Sequence, residues 1–329
     1  HRAVEPSAKI GQMLLSSALP SAPPVEVRGI AYDSRRVEPG WLFVAVPRVP
    51  EEKAPGQHLD GHDFVSAAFQ RGAAVALVER RVEADGLQLL VPSTRVALAD
   101  VAAVFYGRPG DKLRLLGVTG TDGKTTTTQI VSQVLDRAGR SSGYATTTDF
   151  KVGDRQWENS SRQTTLEAPD IQALLADMVE AGCTHAVLEA TSQGLEQERL
   201  RGCAFDTAAV TNVTSDHMDW HKTRENYLAA KRRLFEQLKP SGTAVLNADD
   251  SSFTYFRPII RGRLLTYGVN TPDLDFRASD VGYWQSSLVF RLHGTGGVQD
   301  VELGLLGRFN VYNALAAAAM AYAEGLTLN

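Results

Sequence analysis

The stretch LRLLGVTGTDGKTTTT, residues 113–128, decides the fold of this chain. Its apolar first half predicts a buried strand over 113–120, and TTTTQIVSQVLDRAG predicts a helix over 125–139. The turn between them is rich in glycine and ends in Gly-Lys-Thr-Thr. Small residues let backbone N–H groups close around phosphate oxygens, and the start of a helix favours negative charge. This order of strand, turn and helix predicts a loop that binds nucleotide phosphates.

Two side chains of this loop carry chemistry of their own. Lys124 can reach the terminal phosphates of a nucleotide, and the hydroxyl of Thr125 can ligate Mg²⁺. The strict G-x-x-x-x-G-K-[ST] pattern is not met, because Val118 stands where its first glycine should be. A glycine-rich turn without a ligand is the alternative interpretation. The loop alone leaves a kinase, a motor and a ligase open, whereas the lack of any Asn-Lys pair disfavours a GTPase switch.

Alternating strands and helices after the loop predict an α/β fold. We expect strands at 185–190, 207–211, 243–247 and 264–268, and helices at 168–181, 225–238 and 311–324. Strands separated by helices favour a mainly parallel sheet with right-handed crossovers. Residues 287–305 instead predict two strands around a Gly-rich turn, an antiparallel hairpin.

The first hundred residues predict a second, smaller α/β unit. Its expected elements are strands at 41–46 and 74–79, helices at 60–73 and 93–106, and an exposed Pro-rich loop at 47–56. The turn cluster GRPGD, residues 107–111, indicates a boundary. We therefore expect an N-terminal domain over 1–109 and a central phosphate-loop domain over 110–329.

The composition is that of an ordinary globular protein. The chain has 329 residues, of which 43% are hydrophobic, and 34 Lys and Arg against 38 Asp and Glu give a net charge of −4. This charge gives no reason to expect a nucleic-acid partner, and the longest apolar stretch, 314–323, is too short to span a membrane. Two cysteines, Cys183 and Cys203, indicate neither a disulfide framework nor a Cys-rich metal site, so a cytoplasmic protein is expected. The start at His1, without an initiator Met, is interpreted as a scar of processing.

Three later segments extend the phosphate-loop site. Glu189 ends the predicted strand HAVLEA (185–190), where an acid can hold Mg²⁺ at the carboxyl edge of a parallel sheet, with a solvated strand-end Glu as the alternative. TNVTSDHMDWH (211–221) contains two Asp and two His close together, which is typical of a metal or phosphate site. Lys231 lies in the predicted helix segment YLAAKRRLF (227–235), and the pattern alone predicts a surface lysine there.

Taken together, these segments resemble the Mur ligase family of ATP-dependent enzymes that form amide bonds. The resemblance covers nearly the whole chain and rests on the order and spacing of GVTGTDGKTTTT (117–128), RQTTLEAPDIQALLADMVEAGCTHAVLEATSQGL (162–195), TNVTSDHMDWH (211–221), YLAAKRRLF (227–235), LNADD (246–250) and GRFNVYNALAA (307–317). Weaker matches are AYDSRRVEPGWLFVAV (31–46) and DGHDF (60–64). Within the family, the chain is most similar to the members that add the third residue of the peptidoglycan peptide.

The resemblance implies roles for individual residues. The nucleotide would be bound by Gly120, Thr121, Gly123, Lys124, Thr125 and Thr126, with Asn310 and Asn313 at the adenine. Magnesium would be held by Thr125, Glu189, His217 and Lys231. The nucleotide-sugar peptide would be bound by Ser34, Thr164, Thr165, Thr191, Gln197 and Arg199. The catalytic residues would be Lys124, Lys231 and His217.

The resemblance also changes the interpretation of Lys231. In the family the matching lysine is carbamylated by CO₂, which turns a cation into an anion that suits Mg²⁺ better than an ammonium does. We therefore expect ATP and Mg²⁺ as cofactors and a carbamate on Lys231, in place of the surface lysine that the helix pattern predicts.

The implied reaction has two steps. The γ-phosphoryl group of ATP passes to the terminal D-Glu carboxylate of UDP-MurNAc-L-Ala-D-Glu, and the amine of a diamino acid then attacks the acyl phosphate and releases phosphate. A monomeric protein without membrane insertion is expected. The alternatives are another Mur-like ligase, a folylpolyglutamate-type or cyanophycin-type ligase, and a nucleotide-binding protein that does not ligate.

Several positions depart from the usual family sequence. Asp122 stands where Asn is commonest, Thr191 where Ser is common, and Gln193 replaces a frequent His and cannot titrate. Family members have a third domain that binds the incoming amino acid, and the chain ends at Asn329, near where that domain is expected to begin. We therefore expect this chain to bind nucleotide without completing the ligation by itself.

Overall fold

A computed structural model describes residues 11–49, 59–161, 163–214 and 218–328 of the chain. In these ranges a small parallel sheet forms in the N-terminal region, and a large mixed sheet forms between residues 114 and 303. Helices cover both faces of the large sheet. The predicted α/β fold with a mainly parallel central sheet and an antiparallel region is confirmed.

The N-terminal region contains six short strands and two helices within the described residues: β1 Met13–Leu14, β2 Glu26–Val27, β3 Ile30–Ala31, β4 Leu42–Val44, β5 Val75–Val78, β6 Gln88–Leu90, α1 Val65–Gln70 and α2 Thr94–Phe105. Strands β3 to β6 form a parallel sheet in chain order, and β1 pairs with β2 in antiparallel fashion. The helix predicted at 60–73 begins as a 3-10 turn at Gly61–Phe64. Most of the loop predicted at 47–56 lies outside the described residues.

The large sheet is built from eleven strands of the described chain: β7 Arg114–Thr119, β8 Ser142–Ala145, β9 Asp149–Val152, β10 Arg155–Glu158, β11 His185–Glu189, β12 Phe205–Val210, β13 Leu238–Asn247, β14 Arg263–Gly268, β15 Phe276–Trp284, β16 Ser287–Gly294 and β17 Gly297–Leu303. Their order is β10-β9-β8-β11-β7-β12-β13-β14-β15-β16-β17. The strands from β8 to β15 in this order run parallel, and the two outer pairs at each edge run antiparallel.

Seven helices accompany this sheet in the described residues: α3 Lys124–Arg137, α4 Ala168–Glu180, α5 Ser192–Glu196, α6 Met218–His221, α7 Arg224–Glu236, α8 Phe253–Phe256 and α9 Phe309–Ala323. Alternate residues of β7 face opposite sides. Leu115 packs with the core under α4 and α7, whereas Leu116 and Val118 pack with the core under α3 and α9.

The position of β7 creates the crevice in which a ligand can bind. It lies between β11 and β12, so the chain leaves it on one side and returns on the other. In open parallel sheets, such a change of direction opens a crevice at the carboxyl ends of the strands. The segments that follow β7, β8, β11 and β12 all meet at this edge.

The strands that flank the parallel core were not fully predicted. The predicted hairpin at 287–305 is present as β16 and β17, but β15 adds a third antiparallel strand in front of it. Strands β8, β9 and β10 are also additional. Each of these strands is only four residues long, and Arg155–Glu158 has no clear apolar alternation, so their pairing depends on the neighbouring strand.

Two further properties bear on the expected class of protein. None of the helices in the described ranges is both long and apolar enough to cross a membrane. Cys183 and Cys203 are both buried as free thiols.

Candidate nucleotide and substrate site

The phosphate loop occupies residues 120–123, between the end of β7 and the start of α3. Gly120 and Gly123 have φ angles of 149° and 82°, which favour glycine. A Cβ atom at Gly120 would collide with the hydroxyl of Thr211, and one at Gly123 would collide with the side-chain oxygen of Asn313. The loop is thus enclosed by the end of β12 and by the start of α9, and only glycine fits these two positions.

Lys124, Thr125 and Glu189 come together beside this loop. Lys124 Nζ donates to the backbone oxygen of Thr121 at 2.7 Å and lies 4.0 Å from Glu189 Oε1. Thr125 Oγ1 donates to Glu189 Oε2 at 2.8 Å. The Glu189 side chain is 2% exposed, so the alternative of a solvated strand-end Glu is wrong. A hydroxyl and a carboxylate are the oxygen donors that Mg²⁺ prefers, and these residues therefore fit the ion.

Thr147 joins this group to the substrate residues, and sequence reasoning missed it. Its backbone N–H donates to Glu189 Oε2 at 3.0 Å, and its hydroxyl donates to Thr164 Oγ1 at 3.0 Å. Thr147 belongs to a run of three threonines directly after β8. A polar run at the end of a strand would have been the signal, but β8 itself was not predicted.

Lys231 is buried, at 1% exposure, so the surface position that its helix pattern predicts is wrong. Its Nζ donates to the backbone oxygen of Gly120 at 2.7 Å and lies 4.2 Å from the centre of the Tyr227 ring. The Tyr227 hydroxyl is 3.1 Å from Thr121 Oγ1. Helix α7 thereby brings a lysine and a tyrosine to the underside of the phosphate loop, although no local pattern singles out Tyr227.

The segment 211–221 is only partly described. His217, predicted as a catalytic residue and metal ligand, lies outside the described residues, as does Asp216. His221 is buried, with Nε2 2.9 Å from Ser192 Oγ and Nδ1 3.5 Å from Glu196 Oε2. This histidine therefore connects the end of α6 to α5.

Asn310 and Asn313 lie in the first turns of α9, next to the phosphate loop. Asn310 Nδ2 donates to the backbone oxygen of Leu306 at 2.7 Å, and Asn313 Nδ2 donates to Asn310 Oδ1 at 2.9 Å. Asn313 Oδ1 also accepts from Thr127 Oγ1 at 3.4 Å. Although nearly 190 residues separate the two segments, the fold joins them at the start of α3.

The predicted substrate residues form a continuous network around the end of β11. Thr165 Oγ1 donates to the backbone oxygen of Glu189 at 3.1 Å and lies 3.0 Å from Thr191 Oγ1. Arg199 donates to the backbone oxygen of Thr165 at 2.9 Å, to Gln197 Oε1 at 2.9 Å, and forms an ion pair with Glu167 at 2.8 Å.

Ser34, the remaining predicted substrate residue, belongs to the N-terminal region. It is 8% exposed and begins the 3-10 turn Ser34–Arg36, which Asp33 caps. Tyr32 donates its hydroxyl to Asp170 Oδ2 at 2.8 Å and so attaches this segment to α4. Burial, followed by the Asp170 charge, raises the pKa of Tyr32 far above its usual range, so this hydroxyl stays protonated.

The structure shows the surroundings of two residues that depart from the usual family sequence. The Asp122 side chain is exposed, and the residue is held through its backbone, whose oxygen accepts from Thr211 Oγ1 at 2.6 Å. The carboxylate in the loop is thus solvated, and solvent weakens its repulsion of nearby phosphates. Gln193 is half-buried in α5.

Comparisons with known proteins identify the family. A sequence model of the Mur ligase middle domain matches residues 118–321, and one of the Mur ligase catalytic domain matches residues 26–106. The UDP-N-acetylmuramyl-tripeptide synthetase of Roseiflexus sp. is 48% identical over 93% of this chain and 62% of its own length. The UDP-N-acetylmuramoyl-L-alanyl-D-glutamate--2,6-diaminopimelate ligase of Bacillus licheniformis is 39% identical over 92% of this chain and 61% of its own length.

A solved structure agrees with these sequences. A UDP-N-acetylmuramoyl-L-alanyl-D-glutamate--2,6-diaminopimelate ligase superimposes with a TM-score of 0.84 at 30% identity, covering 96% of this chain and 65% of that one. The chain belongs to the Mur ligase family. It spans about three fifths of the length of these curated relatives.

Proposed function

We propose that this chain binds ATP and UDP-MurNAc-L-Ala-D-Glu for an ATP-dependent ligase that adds a diamino acid to the peptide. The observation that carries the proposal is the convergence of Lys124, Thr125, Glu189 and Lys231 around the glycine loop, at the carboxyl edge of the sheet. Membership of the Mur ligase family, with relatives named as tripeptide synthetases and diaminopimelate ligases, supports the same reaction.

In this proposal the chain's own residues position the reacting groups. Lys124 moves from the Thr121 carbonyl to the β- and γ-phosphates, while Asn310 and Asn313 hold the adenine. Thr164, Thr165, Thr191, Gln197 and Arg199 bind the sugar peptide, and Ser34 contributes from the N-terminal region. The contacts of Thr147 support this arrangement, because Thr147 hydrogen-bonds to Glu189 beside the phosphate loop and to Thr164 among the predicted substrate residues. The acceptor carboxylate would thus be held beside the phosphate loop.

The proposed chemistry is a phosphoryl transfer followed by an acyl transfer. The carboxylate oxygen takes the γ-phosphoryl group and ADP leaves, after which the amine attacks the acyl carbon, loses a proton and expels phosphate. Mg²⁺, held by Thr125, Glu189, His217 and Lys231, would supply neutralisation of phosphate charge. Lys124 would contribute positive charge to the same phosphates.

Lys231 is proposed to act as a carbamate. Its burial and its position under the loop, 2.7 Å from the Gly120 carbonyl oxygen, support a role at the site. The intact mass of the chain should increase by one CO₂ in bicarbonate buffer and lose this increment in Lys231→Met. The same mass in bicarbonate and in CO₂-free buffer would contradict the carbamate.

Several broader expectations belong to this proposal. The division into domains 1–109 and 110–329 is supported by the separate sheets on either side of the Pro109–Lys112 turn. A cytoplasmic location is consistent with two free thiols. A monomeric state stays a prediction.

The test is calorimetric titration of the chain with a non-hydrolysable Mg-ATP analogue and, separately, with UDP-MurNAc-L-Ala-D-Glu. We expect both to bind. Binding of nucleotide alone would favour a nucleotide-binding protein that does not ligate, and binding of a folate in place of the sugar peptide would favour a folylpolyglutamate-type ligase. In a chain of the relatives' full length, amide formation should require ATP, the sugar peptide and a diamino acid together.

A further inference from the structure

Arg95 is a half-buried arginine that the fold brings from the N-terminal region to the substrate residues. It lies in the first turn of α2, where Ser93 Oγ caps the helix by accepting from Val96 N at 3.3 Å. The adjacent Thr94 donates its backbone N–H and its hydroxyl to Glu79 Oε1 at 2.8 and 3.0 Å. These bonds fix the backbone from which Arg95 extends.

The Arg95 guanidinium meets that of Arg199 at a neutral acceptor. Arg95 Nη1 donates to Gln197 Oε1 at 3.2 Å, and Arg199 Nη2 donates to the same oxygen at 2.9 Å. Two cations thus share one amide oxygen, although guanidinium groups bind the oxygens of carboxylates and phosphates more strongly. Glu167 pairs with Arg199 at 2.8 Å, and the nearby Glu79 already accepts from Thr94.

The hydrogen bonds of the two guanidiniums leave donors for a ligand. Arg199 Nε is buried and has no hydrogen-bond partner among the described residues. Arg95 has five N–H groups, of which the Gln197 oxygen takes one. Burial lowers the pKa of Arg95, and the positive charge of Arg199 lowers it further. The negative charges of Glu167 and Glu79 raise this pKa but do not outweigh the other two effects. An anion would relieve this repulsion.

We propose that Arg95 is a substrate-binding residue which, together with Arg199, holds an anionic oxygen of the nucleotide-sugar peptide across the junction of the two regions. This inference rests on the proposed function. The shared chemistry is a phosphate or carboxylate oxygen that accepts from two guanidiniums, and its two possible sources in the ligand are the diphosphate and the carboxylates of the sugar-peptide part. Without the anion, the Gln197 side-chain oxygen accepts from both guanidiniums in its place.

Another arginine, Arg201, has the purely structural role of joining α2 to the central region. Arg201 Nε donates to Asp100 Oδ1 of α2 at 2.8 Å. This pair also joins α2 to the central region, but its acceptor is a carboxylate, so its charge is already matched. Arg201 therefore provides a matched control for Arg95.

The experiment compares the unaltered chain with Arg95→Gln, Arg95→Lys and Arg201→Gln. Each is titrated with UDP-MurNAc-L-Ala-D-Glu and with a non-hydrolysable Mg-ATP analogue, and its thermal unfolding is recorded. Loss of charge-assisted hydrogen bonds in Arg95→Gln should weaken binding of the sugar peptide by about 10- to 100-fold. Affinity for the ATP analogue should stay unchanged. Arg95→Lys should lie between Arg95→Gln and the unaltered chain, and Arg201→Gln should bind both ligands normally.

A ligand series identifies the anion. If Arg95→Gln weakens binding of UDP alone, the diphosphate is the partner; if the loss appears only with UDP-MurNAc or with the dipeptide, a carboxylate is. Unaltered affinity of Arg95→Gln for the whole series, or an equal loss in Arg201→Gln, would overturn the inference while the proposed function stands. Failure of the unaltered chain to bind the sugar peptide would overturn both.

Discussion

The charged side chains are paired differently at the two ends of the central strands, the amino edge and the carboxyl edge of the sheet. At the amino edge, Arg114 pairs with Asp206 at 3.0 Å and with Glu324, which is fully buried and also accepts from Thr207 Oγ1 at 2.6 Å. Lys239 pairs with the same Asp206 at 2.8 Å. Every charge in this group meets an opposite charge within the chain, as a structural role requires.

At the carboxyl edge, the cations of the phosphate loop donate to backbone oxygens. Lys124 donates to the Thr121 carbonyl, and Lys231 donates to the Gly120 carbonyl. The Glu189 carboxylate accepts from the hydroxyl of Thr125 and the N–H of Thr147, with Lys124 at the limit of ion-pair distance. The same sheet therefore has one edge whose charges stabilise the fold and another whose charges are suited to a ligand.

Of the replacements that test this difference between the two edges, that of Lys124 should have the largest effect. Lys124→Met should weaken binding of the Mg-ATP analogue by about 100-fold or more, because a charge directed at phosphates is lost in a partly buried site. The unfolding midpoint should change little, since the lysine gives up one bond to a carbonyl and a contact with Glu189 at the 4.0 Å limit of an ion pair. Titration calorimetry and thermal unfolding measure the two quantities. Lys239→Met at the amino edge is the control, with normal nucleotide affinity and reduced stability, and the reverse outcome would break the contrast.

Replacement of Glu324 should have the next largest effect, on stability. Glu324→Gln leaves Arg114 without one of its two acids, which should cost about 2 kcal/mol in the free energy of unfolding, since the arginine keeps contact with solvent. Urea unfolding measures this loss, and Glu302→Gln, at an exposed position on β17, should show almost none. Nucleotide affinity of the folded variant should be normal; an affinity loss without a stability loss would contradict a structural role for this edge.

Replacement of Glu189 should affect the metal more than the fold. In Glu189→Gln the remaining oxygen still accepts from Thr125 or Thr147, but the negative charge for Mg²⁺ is gone. We expect the Mg²⁺ concentration needed for half-maximal nucleotide binding to rise about tenfold, with little change in unfolding. Unchanged magnesium dependence would remove Glu189 from the proposed metal ligands.

Acid should have the smallest effect, through Asp249 after β13. Burial alone would raise the pKa of Asp249, but hydrogen bonds from Thr271 Oγ1 and the N–H groups of Asn270, Val269 and Thr271 outweigh it and lower the pKa to about 2. A carboxylate with a depressed folded-state pKa contributes stability above its ordinary pKa of about 4, and this contribution is lost as the pH falls towards 2.

The expected contribution of Asp249 is about 1 kcal/mol after allowance for solvent screening. Urea unfolding at pH 5 and at pH 2.5 should show a smaller difference for Asp249→Asn than for the unaltered chain. An identical acid loss in both would show that Asp249 does not couple folding to protons.

Local patterns were sufficient for the phosphate loop and for most of the parallel core, but not for β8 and β15 at its two ends. Apolar runs of a few residues and helical spacing predict β7, α3, α4, β11 and α9 to within a few residues. Strands β8, β9 and β10 were not predicted because four residues are too few for a period to be recognised, and their position depends on the strand beside them. Lys231 illustrates the same limit, since a lysine in a polar helix looks exposed until the helix is packed under the loop.

The sequence by itself determined the strand–loop–helix that decides the fold and the candidate residues on the loop and at the strand ends, because each depends on neighbours within a few positions. It also indicated the family, through the order and spacing of motifs along the chain. The tertiary structure decided which of them meet. Strand order and helix packing bring Lys231 to Gly120, Asn313 to Thr127 and Arg95 to Gln197, pairs that are separated by about a hundred residues or more. Contacts at such separations depend on how the strands are ordered and the helices packed, and no local propensity encodes that arrangement.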